Sequence, residues 1–418
     1  MRASSVLPRV LLLGMVAAAC NVEPLGGPTG GISVIREPGC PAAVIVVMSD
    51  FVSTQVALSA LDGETLSASF VSTASAGTSG LSFALSGDVA VPSTRPPSGR
   101  VVLVDRFGTN VVTWLDPETA RVLAQLPVGT GFQSNPQDYL ELDARRALVS
   151  RWDENAAPGT QPFDAGGDLL VIDTQTPAIT KAIALPREGD VPPRPGSLSL
   201  VGDAAVVTLE RLARDFKSAG DAVLVGVDPA SERVAWQLVL PGLENCGGLT
   251  LSPSGRSAAL ACTGFIDREG RAENLAQSAV VVFDVTRNPP SELRRFPASV
   301  FAGEPVQSEL EFFSETGVLV KTQTTFGGTR NNRLLALDLE SGDAVTLVEA
   351  DSDSRDGGQG IVYGGILCTP GCGNVCLLAD ADRGILRRFA IANGALEPLS
   401  SVRVEHEVGL PPRGLGSF

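Results

Sequence analysis

A two-strand pattern returns along this chain at nearly constant spacing, and that period decides what the chain can fold into. In NVVTWLDPETARVLAQLPV, residues 110–128, an alternating apolar run ends at Asp116, a short polar turn follows, and a second alternating run closes on Leu-Pro-Val. Period-two burial on both sides of Asp/Pro/Thr turn chemistry is the pattern of a β-hairpin. The aspartate recurs as Asp62, Asp173, Asp228, Asp284 and Asp338, so that with Asp116 the successive intervals are 54, 57, 55, 56 and 54 residues. A further 52 residues reach Ala390 in ILRRFAIANGA, where the pattern continues without its aspartate. Each period has room for four short strands. The sequence therefore predicts an all-β fold, a seven-bladed β-propeller of four-stranded antiparallel blades. Residues 41–418 are 378 positions, seven units of 54.

The units are not equal. The first offers three strands, VIVVMSD, VALSALD and LSASFV, and lacks its innermost one. The tail LPPRGLGSF, residues 410–418, is similar to the start of inner strands in TSGLSFALSGD, RPGSLSLVGD and CGGLTLSPSG. An open ring would expose an apolar blade face and a strand edge. The C-terminal strand is therefore expected to pair in the N-terminal blade, beside residues 44–50, and close the ring. The second unit is the loosest, because PSTRPPSG, residues 92–99, lengthens the turn before Val101.

VVLVDRFGTNVVTWLDPETARVLAQLPVG, residues 101–129, resembles the YVTN repeat of bacterial seven-bladed propellers, with Val-Leu-Val-Asp where Tyr-Val-Thr-Asn would stand. The likeness extends over residues 41–418 and is fair around Asp173 and Asp228. It implies the fold and no particular activity, so it carries over no catalytic residue. The WD40 pattern fits less well, since Trp152-Asp153 ends a second strand and no Gly-His precedes it.

Residues 1–20, MRASSVLPRVLLLGMVAAAC, place Arg2 and Arg9 around the start of an apolar run too short to span a bilayer, with small residues at its end. That is a secretory signal. Ala17-Ala18-Ala19-Cys20 resembles the lipobox of bacterial lipoproteins, which implies cleavage before Cys20, its lipidation, and, with Asn21 next, sorting to the outer membrane. Ordinary cleavage after Ala19 would leave the same cysteine free. Residues 21–40 are Gly/Pro-rich and read as a tether. The formal charge is −15, and removing the two leader arginines leaves 30 − 47 = −17. Phosphate binding needs a basic surface, so nucleic acid is not an expected partner. The membrane is expected to be met only through the lipid, by a monomer.

Six further cysteines in an exported chain are expected to be oxidised. Cys246 and Cys262 stand symmetrically about Ser254 in the turn SPSGR, and Cys368 and Cys376 about Cys372 in TPGCGN. Cys40 precedes the first strand of blade one, next in the ring to blade seven. The expected pairs are Cys246–Cys262, Cys368–Cys376 and Cys40–Cys372, the last a staple across the ring closure. Cys-x3-Cys-x3-Cys could also suit a metal, but an oxidising compartment and a single histidine, His406, weigh against it.

That one histidine leaves no Ser-His-Asp or Cys-His arrangement, so no catalytic residue, metal site or cofactor motif is assigned. The repeat aspartates end strands before turns, where they cap backbone N–H groups. DSDSRDGG, from Asp351, approaches a calcium loop but has Arg355 where a ligand belongs. One asymmetry does point to function. The connections between second and third strands are tight in blades one, two and seven, but long in blades three to six, at 153–167, 210–221, 264–278 and 322–332. All open on one rim, with the linkers between blades, and long loops on a rigid scaffold gather binding residues. The candidates are Gln137, Asp138, Trp152, Asp153, Glu154, Asn155, Arg194 and Arg413. The expected role is a binding or scaffold module that docks a protein, peptide or glycan on this rim. The alternative is a lactonase-like propeller hydrolase using a carboxylate-bound divalent cation at the channel mouth. Mass spectrometry of the mature N-terminus is expected to find Cys20 as residue one and acylated; an unmodified Cys20 or another cleavage point overturns the lipid anchor.

Overall fold

A computed structural model describes residues 32, 37–77, 80–266, 274–322, 332–350, 362–404 and 409–418. The leader with Cys20, His406 and the Asp351 segment lie outside them. Seven four-stranded antiparallel sheets form the blades of a propeller. The inner three strands of a blade are packed on both faces by neighbouring blades, so they read as continuous apolar runs: VIVVMS over Val44–Ser49 and AAVVTL over Ala204–Leu209 are buried throughout. Outer strands keep one wet face, as in RVAWQLVL over Arg233–Leu240, where exposed positions dominate.

The ring closes as the tail predicts. Pro412–Ser417 pairs antiparallel with Val44–Ser49, setting Leu415 opposite Val46 and Gly414 opposite Val47. Phe418 is buried, and its carbonyl accepts the Ala42 N–H at 2.7 Å. Blade seven then leans on the closing strand: a Cβ on Gly364 would stand 2.2 Å from the Arg413 carbonyl oxygen, so only glycine fits. Disulfides join Cys40 to Cys372, Cys246 to Cys262 and Cys368 to Cys376. The first spans 332 residues and binds the segment before blade one to a turn of blade seven. Ile32 is also held at this end, buried and donating to the Pro117 carbonyl at 3.3 Å.

The repeat aspartates cap their turns. Asp116 accepts the Glu118 and Thr119 N–H groups at 2.8 and 3.1 Å, and Asp62, Asp173, Asp228, Asp284 and Asp338 do the same in their own turns. Bonds from the Gln175 and Thr176 N–H groups hold the Asp173 carboxyl below its ordinary value.

Blade two differs from the expectation. GLSFALSGD, the described part of TSGLSFALSGD, does not form its inner strand, which is only Val89–Ala90. The Gln125 side chain takes the pairing instead, accepting the Ser82 and Phe83 N–H groups at 2.7 and 2.8 Å and donating to the Phe83 carbonyl at 2.9 Å. Residues 91–98 then turn into the central channel. Ser93 N–H reaches Asp138 at 2.9 Å, the Thr94 hydroxyl reaches the Leu198 carbonyl at 3.3 Å, and Ser98 meets Glu141 through both N–H and hydroxyl at 2.9 and 2.8 Å. Val91 packs on Gly416 of the closing strand.

Deleting residues 413–418 is expected to lower the melting temperature by more than about 10 °C, since a blade loses its inner strand and the ring its clasp. A truncated protein that melts within a degree or two of the full chain would show the clasp to be dispensable.

Candidate functional site

Antiparallel blades send every second-to-third loop and every interblade linker to one rim. The second strand of blade three, Arg146–Glu154, runs furthest toward it and delivers Trp152, Asp153 and Glu154. Glu210 follows the second strand of blade four, and Arg194 precedes that blade's inner strand, Pro195–Val201. Trp152 Nε1 donates to Glu210 Oε2 at 2.7 Å. The Arg194 guanidinium lies 3.7 Å over the Trp152 ring and pairs with Asp153. Phe216 stacks beside Trp152 with centroids 5.9 Å apart, and Arg194 lies 5.1 Å from its ring as well. Desolvation pushes the Glu210 carboxyl up to about 7, against the Trp152 hydrogen bond and the charges of Arg194 and Arg106, which pull it down.

Flanking groups are paired in turn. Glu154 bridges Arg187 at 2.6 Å and Arg214 at 2.5 Å. Arg106 holds Asp88 and reaches Gln137 at 3.4 Å, and Gln137 donates to Asn135 at 2.7 Å. Beneath Trp152, the fully buried Arg151 makes two bonds to Asp168, at 2.8 and 2.7 Å, and donates to the Val128 and Phe163 carbonyls and the Thr130 hydroxyl. That fixes the linker at 128–130 and the long loop of blade three together; losing one partner of such a buried pair costs about 3–5 kcal/mol. The loop carries its own organiser, Asp164, whose carboxylate takes N–H bonds from Gly159, Gln161 and Thr160 that draw it down to about 2.

The structure divides the candidate residues. Trp152, Asp153, Glu154 and Arg194 come together, with Gln137 at their edge. Asn155 closes the neck of its loop, donating to the Ala165 carbonyl at 2.8 Å and accepting the Ala157 N–H at 3.0 Å. Asp138 is buried and joins blades: it accepts N–H groups of Ser93, Tyr139 and Leu198, at 2.9, 2.8 and 2.7 Å, while desolvation pushes its carboxyl up to about 6. Arg413 stands on blade one, 5.0 Å over the Phe51 ring. Asp267, Arg268 and Glu269 of the blade-five loop lie outside the described residues.

Sequence reasoning missed Glu210, Phe216 as a stacking partner, and Lys321. Lys321 is buried on blade six and donates to Glu309 at 2.6 Å and to the Gly364 carbonyl. Burial and the neighbouring Glu309 push Glu311, on the same strand, well above the ordinary carboxyl range. A signal for such pairs does exist, since blades are ring neighbours. Trp152 and Glu210 are 58 residues apart, Glu154 and Arg214 are 60, close to one repeat period. Among the described residues, no three His, Cys, Asp or Glu side chains are grouped to hold a metal ion.

No family model and no curated protein matches the sequence. Solved propellers do match in shape. The periplasmic gluconolactonase of Pseudomonas aeruginosa is 17% identical with a TM-score of 0.54, over 90% of this chain and 98% of that one. Hydrazine synthase of Kuenenia stuttgartiensis is 12% identical with a TM-score of 0.52, over 75% and 87%. A functionally unknown protein of Desulfotomaculum acetoxidans is 14% identical with a TM-score of 0.51, over 90% and 98%. At such identity the likeness shows the fold alone.

The raised Glu210 carboxyl makes stability depend on pH. The neutral form is favoured in the fold, so its contribution is full below about 4.5, the ordinary value, and is lost as pH rises through about 7. The melting temperature is expected to fall between pH 5 and 8 as Glu210, Asp138 and Glu311 are forced to ionise, and Glu210→Gln to remove its own share of that fall, roughly 2–3 kcal/mol at pH 8. An unchanged pH profile in the variant would contradict the assignment.

Proposed function

We propose that this is an exported, lipid-anchored propeller that binds a ligand on the rim over blades two to four. The observation that carries the reading is the built cluster of Trp152, Arg194 and Glu210, which is organised before any ligand arrives. Its carboxylates are already engaged: Asp153 by Arg194, Glu154 by Arg187 and Arg214, Glu188 by Arg211 and Asp88 by Arg106. Paired in this way they orient side chains and discriminate among ligands, a role that suits binding better than metal-assisted hydrolysis. Three disulfides support export, because such bonds persist in oxidising compartments. Cys20 is the anchor in this reading, and the protein, peptide or glycan bound is met at the envelope.

A lactonase-like hydrolase is the second reading. A carboxyl raised to about 7 is suited to proton transfer at neutral pH, and a structure of the same shape is a periplasmic gluconolactonase. Both readings are tested on the purified protein. Titration with sugar acids, peptidoglycan fragments and short peptides is expected to quench Trp152 fluorescence, with affinity falling at least about tenfold in Trp152→Leu. Gluconolactone hydrolysis, followed with calcium or magnesium present, is expected to stay at the spontaneous rate; turnover that Glu210→Gln abolishes would replace binding with catalysis.

A further inference from the structure

Three of the four exposed phenylalanines among the described residues stand on one rim, while Phe83 lies beside the mid-strand Gln125 of blade two. Among the described residues the exposed phenylalanines are Phe51, Phe83, Phe107 and Phe216. Phe51, Phe107 and Phe216 sit in the second-to-third loops of blades one, two and four, and Phe83 in the linker entering blade two. Val52 and Leu275 add exposed apolar side chains on loops of the same rim. Beside the turns at the opposite end the exposed large apolar side chains are aliphatic, among them Leu200, Leu293 and Val345, and stand on strands rather than loops.

Two of these residues break a second rule. Phe51 and Phe216 hold φ at 66° and 56°, the left-handed region that glycine and asparagine occupy more cheaply. An aromatic there costs conformational energy for a ring left 39% exposed at Phe51 and 42% at Phe216. Each is also backed by an arginine from the channel mouth, Phe51 by Arg413 at 5.0 Å and Phe216 by Arg194 at 5.1 Å. A ring that is strained, exposed and yet supported is what an interaction surface retains and folding alone would discard.

We propose that Phe51, Phe107 and Phe216 form a docking rim for a polypeptide partner that presents an apolar contact face. The proposal rests on the rim-binding reading above and narrows its ligand to a protein. Two observations favour a polypeptide over a lipid surface. Ile32 and Cys40, the described holds on the N-terminal segment, meet Pro117 and Cys372 in turns at the far end, so that segment is fastened away from the aromatic rim. The rings are also interleaved with the ion pairs Asp88–Arg106, Asp153–Arg194 and Glu188–Arg211. Aromatic and arginine anchors together are the composition of protein hot spots, whereas hydrocarbon would leave those charges unsolvated.

The test pairs crosslinking with a stability control. Phe107→p-benzoylphenylalanine, irradiated in native cells, is expected to give a discrete adduct whose partner is identified by mass spectrometry; Asp203→p-benzoylphenylalanine, in an exposed turn at the far end, is expected to give none. The variant Phe51→Asn, at a residue outside the Trp152 cluster, is expected to melt no lower than the parent, because asparagine suits the left-handed backbone, yet to weaken the adduct and binding of the purified partner at least about tenfold. A lower melting point in that variant would assign the ring a structural role and overturn the proposal. So would equal adducts from both ends, no adduct at all, a dimer of this chain lost in the variant, or rim-dependent sedimentation of the lipid-free protein with phosphatidylethanolamine–phosphatidylglycerol vesicles. If these results go against docking while Trp152-dependent binding of small ligands persists, the rim-binding reading stands and only the polypeptide inference falls.

Discussion

Every blade depends on the antiparallel pairing of Pro412–Ser417 with Val44–Ser49. A propeller has no single core; its apolar material lies between blades, in clusters such as Ile45, Val47, Val101 and Leu103, or Val46, Leu377 and Leu415. Each blade face is dry only because the next blade stands against it, so stability requires the ring to be complete. The closing strand supplies the inner edge of blade one and one wall of the clusters on either side. The Cys40–Cys372 bond reinforces the same junction, and a covalent link across 332 residues confines the unfolded chain by roughly 5 kcal/mol or more in the loop-entropy account. Pairing the two ends of a long chain is also a slow step, because loop-closure entropy is lost before the contacts form.

Around the axis the blades are joined by a repeated device. A polar side chain on one inner strand bonds the backbone of the next: Asp138 to Leu198, Ser199 to Leu249, Thr250 to Leu310 and Glu309 to Ile366. These bonds let inner strands approach where side chains cannot interdigitate, and they set the stagger between blades. The rim cluster is built by the same lateral logic one level higher, with blade three supplying Trp152 and blade four supplying Glu210 and Arg194. Rigid neighbours below it, above all the Arg151–Asp168 pair, explain how long loops can hold a definite arrangement.

The fold was legible because burial on two faces writes itself into sequence as apolar runs, and their return near every 54 residues marked the blades. The missing strand of blade one and the tail that supplies it were readable for the same reason. Blade two was misread, since SFALS has the look of an inner strand, yet Gln125 satisfies its backbone from an outer strand. The site was legible only in part. Trp152, Asp153, Glu154 and Arg194 could be gathered because the topology assigns their loops to one rim. Asp138 could not be told from a ligand-facing carboxylate, because beside its neighbour Tyr139 its N–H donors are Ser93 and Leu198, which come from other blades, and nothing local announces them. Glu210 sits at the margin of an apolar strand and acquires its character from an indole one blade away.

The segment at 91–98 spreads the support of the weakest blade. It packs on Gly416 of blade one and bonds Asp138 on blade three and Leu198 on blade four. Blade two, whose own inner strand is only Val89–Ala90, is thereby fastened to three other blades by the chain that leads into its second strand. A fault in the shortest strand is carried by its neighbours, as a splice carries the load of a parted cord.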